Sequence, residues 1–205
     1  MPASLRSPAV RTICWVLLTS SPESPMACGL CCTGFFSSYG VLQSEDNTAV
    51  LARLLPLAER NGKLSFTLRC PALQGRCCSI YKERPATCRS YRCALLKKVD
   101  AELAEFPAAR DIVVSTVAAF DLLARELSSA GFLVPGTTPS AAIKAFRAAY
   151  IQAAGEGQTD FFERHRDLIL SWKKASWAAQ THFDARAGER LALPTLPPRV
   201  RKSAE

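Results

Sequence analysis

The sequence predicts an α+β protein, mainly α, in which a small cysteine-rich unit with short strands is followed by an antiparallel helical region. Eight of the nine cysteines in this 205-residue chain fall between residues 28 and 93. Apolar residues alternate with polar ones over 64–68, as in a strand, and recur every three or four positions from residue 113 onwards, as in amphipathic helices. The composition, 48% apolar and 21% charged, excludes a wholly disordered or collagen-like protein.

The first regular elements lie between the early and the late cysteines. A helix is expected over residues 46–59, with Asp46 or Asn47 as its cap and a perturbation at the proline near its end. The dipeptide Asn61-Gly62 predicts a turn, and the alternation over 64–68 predicts a strand directly after it.

Two further elements carry late cysteines. Residues 78–81 are expected to form a short extended segment. Pro85 suits the first turn of a helix because its missing N–H has no partner there in any case. We therefore expect a helix from Pro85 through Cys88 towards Leu96.

Three longer helices are expected after residue 100. The apolar positions of the first helix step by four and three residues along one face, and Gly131 closes it. Thr138-Pro139 opens the second helix, which Gly155 ends, and Thr159-Asp160 opens the third. The positions that define the first face are Val113, Val117, Phe120, Ala124 and Leu127.

These patterns divide the chain into four segments. We expect a poorly ordered extension over 1–25, a cysteine-cluster domain over 26–98, a helical region over 99–193 and a disordered basic tail over 194–205. The apolar stretch near the N-terminus is too short for an ordinary signal peptide, and no apolar run is long enough to span a bilayer. A cytoplasmic protein without a membrane span is therefore expected.

Basic charge is concentrated in the cysteine-rich part. Residues 60–98 contain ten lysines and arginines but only one acidic residue, Glu83, whereas the whole chain has a net charge of +8. Two interpretations stay open: a solvated face, or cations that balance thiolates around a metal. Nucleic-acid binding is not expected, since no aromatic residues are interleaved to stack bases.

The clustered cysteines indicate a cross-link, either disulfides or a metal site. A two-residue gap between Cys28 and Cys31 lets one tight turn aim both sulfurs at a metal, although redox dithiols share this spacing. Side chains of adjacent cysteines diverge, so Cys31-Cys32 and Cys77-Cys78 cannot easily bind one tetrahedral ion as pairs. They indicate two metals, a cluster, or some uncoordinated thiols.

Four spaced motifs resemble the YkgJ-like cysteine-cluster family of zinc- or iron-chelating domains. The family pattern is C-x-x-C-x-x-C-C, a later Cys-Pro, C-x-I-Y, and R-P-x-x-C-R with a final Cys. The matching stretches, within about residues 27–98, are Cys28-Gly29-Leu30-Cys31-Cys32, Cys70-Pro71, Cys78-Ser79-Ile80-Tyr81, and Arg84-Pro85-Ala86-Thr87-Cys88-Arg89 with Cys93. The first cysteine of the family falls at Pro25, so the opening motif is shortened to C-x-x-C-C.

The resemblance implies a metal centre made only of cysteines, with zinc or iron as its cofactor and an iron–sulfur cluster as one form of it. Within the motifs, Tyr81 is expected to pack under the site, and Arg84 and Arg89 to bond backbone or balance thiolate charge. Cys14 is expected to be incidental, and Cys77 lies outside the family pattern. The implied ligands are Cys28, Cys31, Cys32, Cys70, Cys78, Cys88 and Cys93.

The expected function is therefore a metal-ion-binding protein, with the helical region available to a protein partner. One alternative is a cluster-dependent enzyme acting on a protein substrate, either similar to the protein lysine methylases that share a related cysteine pattern or a redox protein. No nucleophile–base pair or cofactor loop is present outside the cysteines, which favours binding over catalysis. Another alternative is a secreted disulfide scaffold with four bridges.

Overall fold

The computed structural model describes residues 28–184, together with 186, 189 and 191–194. The segments expected to be an N-terminal extension (1–25) and, beyond Pro194, a basic tail lie outside these residues. The predicted class, α+β and mainly α, is confirmed. The elements are a 3-10 turn Leu30–Cys32, β1 Tyr39–Val41, α1 Thr48–Leu54, β2 Leu57–Arg60, β3 Lys63–Thr67, β4 Leu73–Gln74, β5 Cys77–Cys78, α2 Ala86–Ser90, α3 Ala94–Asp100, α4 Phe106–Ser129, α5 Pro139–Glu156, α6 Thr159–Arg164, α7 Arg166–Ala178 and a π-helical turn Ala179–Phe183.

A three-stranded antiparallel sheet forms the centre of the cysteine-rich part, with the strands in the order β1-β3-β2. Arg60 pairs with Lys63 at the end of the β2–β3 hairpin. Between them Asn61 and Gly62 have φ values of 51° and 70°. Positive φ at both central residues gives a hairpin turn whose twist matches that of the strands. The predicted turn and strand are therefore confirmed.

The helix expected over 46–59 is shorter than predicted. It spans Thr48–Leu54, and Asn47 caps it by accepting a hydrogen bond from the Val50 N–H at 3.1 Å. Pro56 has no N–H to continue the helix, and the chain then enters β2 and pairs with β3. Residues 57–59 are therefore strand, and Asp46 is not the cap.

The helix expected from Pro85 towards Leu96 is two helices, α2 and α3, separated at Tyr91–Cys93. The Cys93 sulfur accepts a hydrogen bond from the Leu96 N–H at 3.4 Å, so Cys93 begins the second helix as its cap. The extended segment expected over 78–81 is also shorter, because only Cys77–Cys78 pair as a strand, with β4.

The long helices begin and end close to the predicted signals. Gly131, with φ 79°, follows α4, and the Thr138 hydroxyl caps α5 by accepting the Ala141 N–H at 3.3 Å. Helix α5 ends at Gly157, whose φ of 69° suits a left-handed C-cap, and Gly155 lies inside the helix instead of ending it. The third expected helix is divided at His165 into α6 and α7.

Two apolar cores stabilise the described part of the chain. The sheet core lies around β3 and α1, and the helical core lies between α4, α5 and α7. None of the described helices combines the length and the apolar composition that a membrane span requires. The sheet core contains Leu42, Leu51, Leu55, Phe66, Leu68, Cys70 and Ala72. The helical core contains Leu30, Phe35, Leu95, Ala109, Val113, Ala119, Phe120, Leu123, Leu127, Ala142, Ile143, Phe146, Leu168, Trp172, Ala175, Ala179, Phe183 and Leu191.

Candidate metal centre

The first three thiols lie around one tight turn. Gly29, with φ 62°, begins the 3-10 turn, which closes when the Cys32 N–H donates to the Gly29 carbonyl at 2.9 Å. A Cβ atom at Gly29 would lie 2.9 Å from Leu73 Cδ1 and 3.3 Å from the Arg76 carbonyl oxygen. Glycine is required here both by its φ and by this close approach. Leu30 in the same turn is only 1% exposed and belongs to the helical core.

The other four predicted ligands come from separate elements of the cysteine-rich part. Cys70 follows β3, and its N–H donates to the Cys32 carbonyl at 2.8 Å, which joins it to the first turn. Cys78 is on β5, Cys88 on α2, and Cys93 at the start of α3. Backbone pairing and helix capping therefore position each of these thiols.

Cys31 is the centre of this group. Its sulfur lies 3.8 Å from that of Cys32. The charge of Cys31 contributes to a raised pKa at each of the other six predicted ligands, so all six lie within its electrostatic reach. The structure thus brings the seven predicted residues into one neighbourhood. All seven are free thiols, whereas Cys77 is not among the free thiols, and Cys14 lies outside the described residues.

The thiol group lies where the two cores meet. Cys28 and Cys93 pack against the helical core. Cys70 belongs to the sheet core, and Cys32 and Cys88 pack against it. A group that bound thiols from both sets would connect the two cores.

Burial keeps most of these thiols protonated. It raises the pKa of Cys28 to about 11 and that of Cys88 to about 12. Burial also raises the pKa of Cys70, Cys78 and Cys93. Removing a thiolate from water disfavours its charge, so these side chains are neutral thiols near pH 7.

Cys31 is the exception, and it is also the exposed member of the group. The hydrogen bond with Cys32 lowers the pKa of Cys31 to about 7, assisted by backbone N–H groups and by the positive charge of Arg84. The same hydrogen bond raises the pKa of Cys32. Cys31 is therefore the thiol that ionises first, and ionised sulfur is the form that binds metals.

Arg84 connects the basic segment to the thiols. Its guanidinium lies 4.0 Å from the centre of the Tyr81 ring, and its Nε atom is buried without a hydrogen-bond partner among the described residues. Its charge helps to lower the pKa of Cys31, and at Cys78 and Cys88 it partly opposes burial, which raises the pKa of both thiols. This contact favours the interpretation of Arg84 as a cation that balances thiolate charge.

Asp46 is a site-related residue that sequence reasoning missed. Its carboxylate accepts a hydrogen bond from the Ala86 N–H at 2.7 Å, forty positions away, at the start of the helix that carries Cys88. Its place in the sequence predicts only a cap for the nearest helix. No local pattern could have revealed a contact that exists only in the folded chain.

The donor chemistry of this group fits zinc or iron. Sulfur ligands suit both metals, whereas magnesium and calcium prefer oxygen. Among the described residues, no three histidine, cysteine, aspartate or glutamate side chains already have the geometry to hold an ion. The seven thiols thus lie near Cys31, but their sulfur atoms do not yet converge on one metal position.

Comparison with known proteins identifies the segment that carries the thiols. No curated protein and no solved structure matches the chain. Residues 25–109 match the model of the CxxCxxCC family, whose description is "Putative zinc- or iron-chelating domain". The matched segment contains all seven predicted ligands and extends into the first turn of α4. The expected resemblance to a cysteine-cluster family is therefore confirmed over residues 25–109, the segment that matches this family model.

Proposed function

We propose that this protein is a metal-binding protein whose seven free thiols form one centre for zinc or iron. The observation that carries the proposal is that six of these cysteines lie within electrostatic reach of the seventh, Cys31. The family match over residues 25–109 supports the same chemistry independently.

Closing the centre involves rotation of side chains and loss of protons. Cys31, with its pKa of about 7, supplies the first thiolate. The more buried thiols, such as Cys28 and Cys88, release their protons as they bind. Each cysteine sulfur moves on a single rotatable bond, so its position can change while the backbone stays in place.

The number of thiols favours more than a single zinc ion. Four sulfurs complete a tetrahedral zinc site, which would leave some of the seven free cysteines uncoordinated. A binuclear site or an iron–sulfur cluster uses more of them. A metal held here would stabilise the contact between the two cores, since Cys28 and Cys93 pack on one and Cys32 and Cys88 on the other.

A pair of variants tests this proposal. Cys31→Ser removes the central thiol at an exposed position, where a serine leaves both apolar cores unchanged. Ser44→Ala is the control, at an exposed serine that is not a cysteine ligand. Each protein is loaded with zinc without oxygen, and the bound metal and its affinity are measured against a chromophoric chelator.

We expect Cys31→Ser to weaken zinc binding at least tenfold, because loss of a direct ligand costs at least as much as loss of a group that orients one. Ser44→Ala should bind zinc as the wild-type protein does. Circular dichroism checks that both variants are folded. Unchanged zinc binding by Cys31→Ser would contradict a centre built around this thiol.

A further inference from the structure

We propose that Asp46 is a positioning residue for the metal centre, which holds the helix of Cys88 so that this thiol faces the other ligands. The inference rests on the proposed function, because it assigns Cys88 to the same centre. The hydrogen bonds and the ion pair of the Asp46 carboxylate join it to the Gln43 and Ala86 N–H groups and to Arg89, so it acts through the backbone that carries Cys88.

The Asp46 carboxylate is buried and satisfied by two backbone donors. Its side chain is only 1% exposed. The Gln43 N–H donates to Oδ2 at 2.9 Å, and the Ala86 N–H donates to Oδ1 at 2.7 Å. One carboxylate therefore joins the loop after β1 to the first residue of α2.

A second contact holds the other end of the same segment. An Arg89 nitrogen lies 3.8 Å from Oδ1 of Asp46, and the same guanidinium donates to the Arg84 carbonyl at 2.6 Å. Cys88 lies between Ala86 and Arg89. Asp46 thus contacts the chain on both sides of the ligand.

Helix α2 needs such support because it has five residues. Helices shorter than about 12 residues are marginal in water without tertiary contacts. Pro85, which precedes α2, makes no side-chain cap hydrogen bond. The carboxylate of Asp46 supplies this missing acceptor from a distant part of the chain.

A role of Asp46 confined to its own helix is excluded by the hydrogen bonds of α1. Asn47 caps that helix by accepting the Val50 N–H. Both oxygens of Asp46 accept other backbone groups, and one of these belongs to α2. The buried carboxylate therefore serves the segment that carries Cys88, through its hydrogen bond with the Ala86 N–H.

The first experiment measures alkylation of each cysteine in the metal-free protein by mass spectrometry. We expect Asp46→Ala to raise the alkylation rate of Cys88 about tenfold while that of Cys93, on α3, changes less than about twofold. Glu45→Ala, at the exposed neighbouring acid, is the control and should leave both rates unchanged. A Cys88 rate equal to that of the wild-type protein would overturn the proposal.

The second experiment is a double-mutant cycle for zinc affinity. Asp46→Ala should weaken zinc binding by about 10–100-fold, as other residues that orient metal ligands do. In a Cys88→Ser background the same change should have an effect of less than about twofold, since the residue it positions is gone. An equal effect in both backgrounds would mean a general structural role and would overturn the proposal.

The two readouts separate this proposal from the proposed function. If the wild-type protein bound no zinc and no iron, the proposed function would fail, and the alkylation rates would still decide the role of Asp46. If Asp46→Ala does not fold, Asp46→Asn replaces it. Asparagine keeps one acceptor oxygen, which can face the Ala86 N–H, but it loses the acceptor for the Gln43 N–H and the charge facing Arg89. The Cys88 rate should therefore rise by a smaller factor, and no rise would overturn the proposal.

Discussion

Leu30 provides the most direct test of how the first thiol turn is held. It lies between Cys28 and Cys31, yet its side chain is 1% exposed and belongs to the helical core. Replacing it with alanine removes buried apolar atoms and leaves a cavity against α-helical side chains. Leucine-to-alanine changes at such positions cost about 2–5 kcal/mol of the free energy of unfolding.

The same substitution should also weaken metal binding. Without the Leu30 anchor, the turn that carries Cys28, Cys31 and Cys32 is no longer fixed against the helical core. We expect Leu30→Ala to lower the affinity for zinc by about tenfold or more, which is the loss typical when groups that orient metal ligands are removed.

The stability effect is measured by urea unfolding of the metal-free protein, and the affinity by chelator competition. Leu103→Ala is the matched control, because Leu103 is 78% exposed and its truncation should change stability by less than about 0.5 kcal/mol. A loss below about 1 kcal/mol for Leu30→Ala would refute the packing argument. A large stability loss with unchanged zinc affinity would refute the link between the turn and the metal.

Three further outcomes are expected. Zinc affinity, measured by chelator competition, should rise between about pH 6 and about pH 8. Burial raises the pKa of Cys28 to about 11 and that of Cys88 to about 12, so each thiol must release a proton when it binds zinc. A zinc affinity that does not change with pH would contradict this. The metal-free protein should become less stable to urea as the pH rises above 9.0. Cys28 and Cys88 have a pKa of 9.0 in the unfolded chain and of about 11 and about 12 in the folded protein, so only the unfolded chain ionises them in this range. A gain in stability with pH would contradict this. Gly29→Ala should weaken zinc binding. Gly75→Ala, at the same φ of 62° but with open space around it, should lower the free energy of unfolding by about 1 kcal/mol and leave zinc binding unchanged. Equal zinc affinities of the two variants would show that the close approach at Gly29 does not matter for the metal centre.

Local signals predicted the elements whose conformation is set by neighbouring residues. Asn61-Gly62 specifies a hairpin turn through the backbone freedom of its two residues, and Thr138 specifies a helix start through its own hydroxyl. Both were predicted correctly because nothing distant is needed to form them.

Elements that depend on distant partners were predicted less well. Residues 57–59 continue a helical pattern in sequence, but pairing with β3 and the missing N–H of Pro56 make them a strand. The break between α2 and α3 likewise depends on Cys93 capping the second helix. Sequence periodicity contains no information on either contact.

The same distinction applies to the candidate site. The resemblance to the cysteine-cluster family implies the seven residues, and the fold gathers them around Cys31. Their division between two cores, the anchoring of Leu30 and the contact of Asp46 with Ala86 could not be predicted. Each joins residues that are far apart in the chain, so only the folded structure reveals it.

The most direct test of the central claim is the metal content of the protein purified without oxygen. Zinc, iron and acid-labile sulfide are measured together with the visible absorption spectrum. The account predicts zinc or iron bound by the cysteines, with sulfide and a broad absorption band if the iron is in a cluster. Protein that contains neither metal, and that takes up neither zinc nor iron when its thiols are reduced, would contradict it.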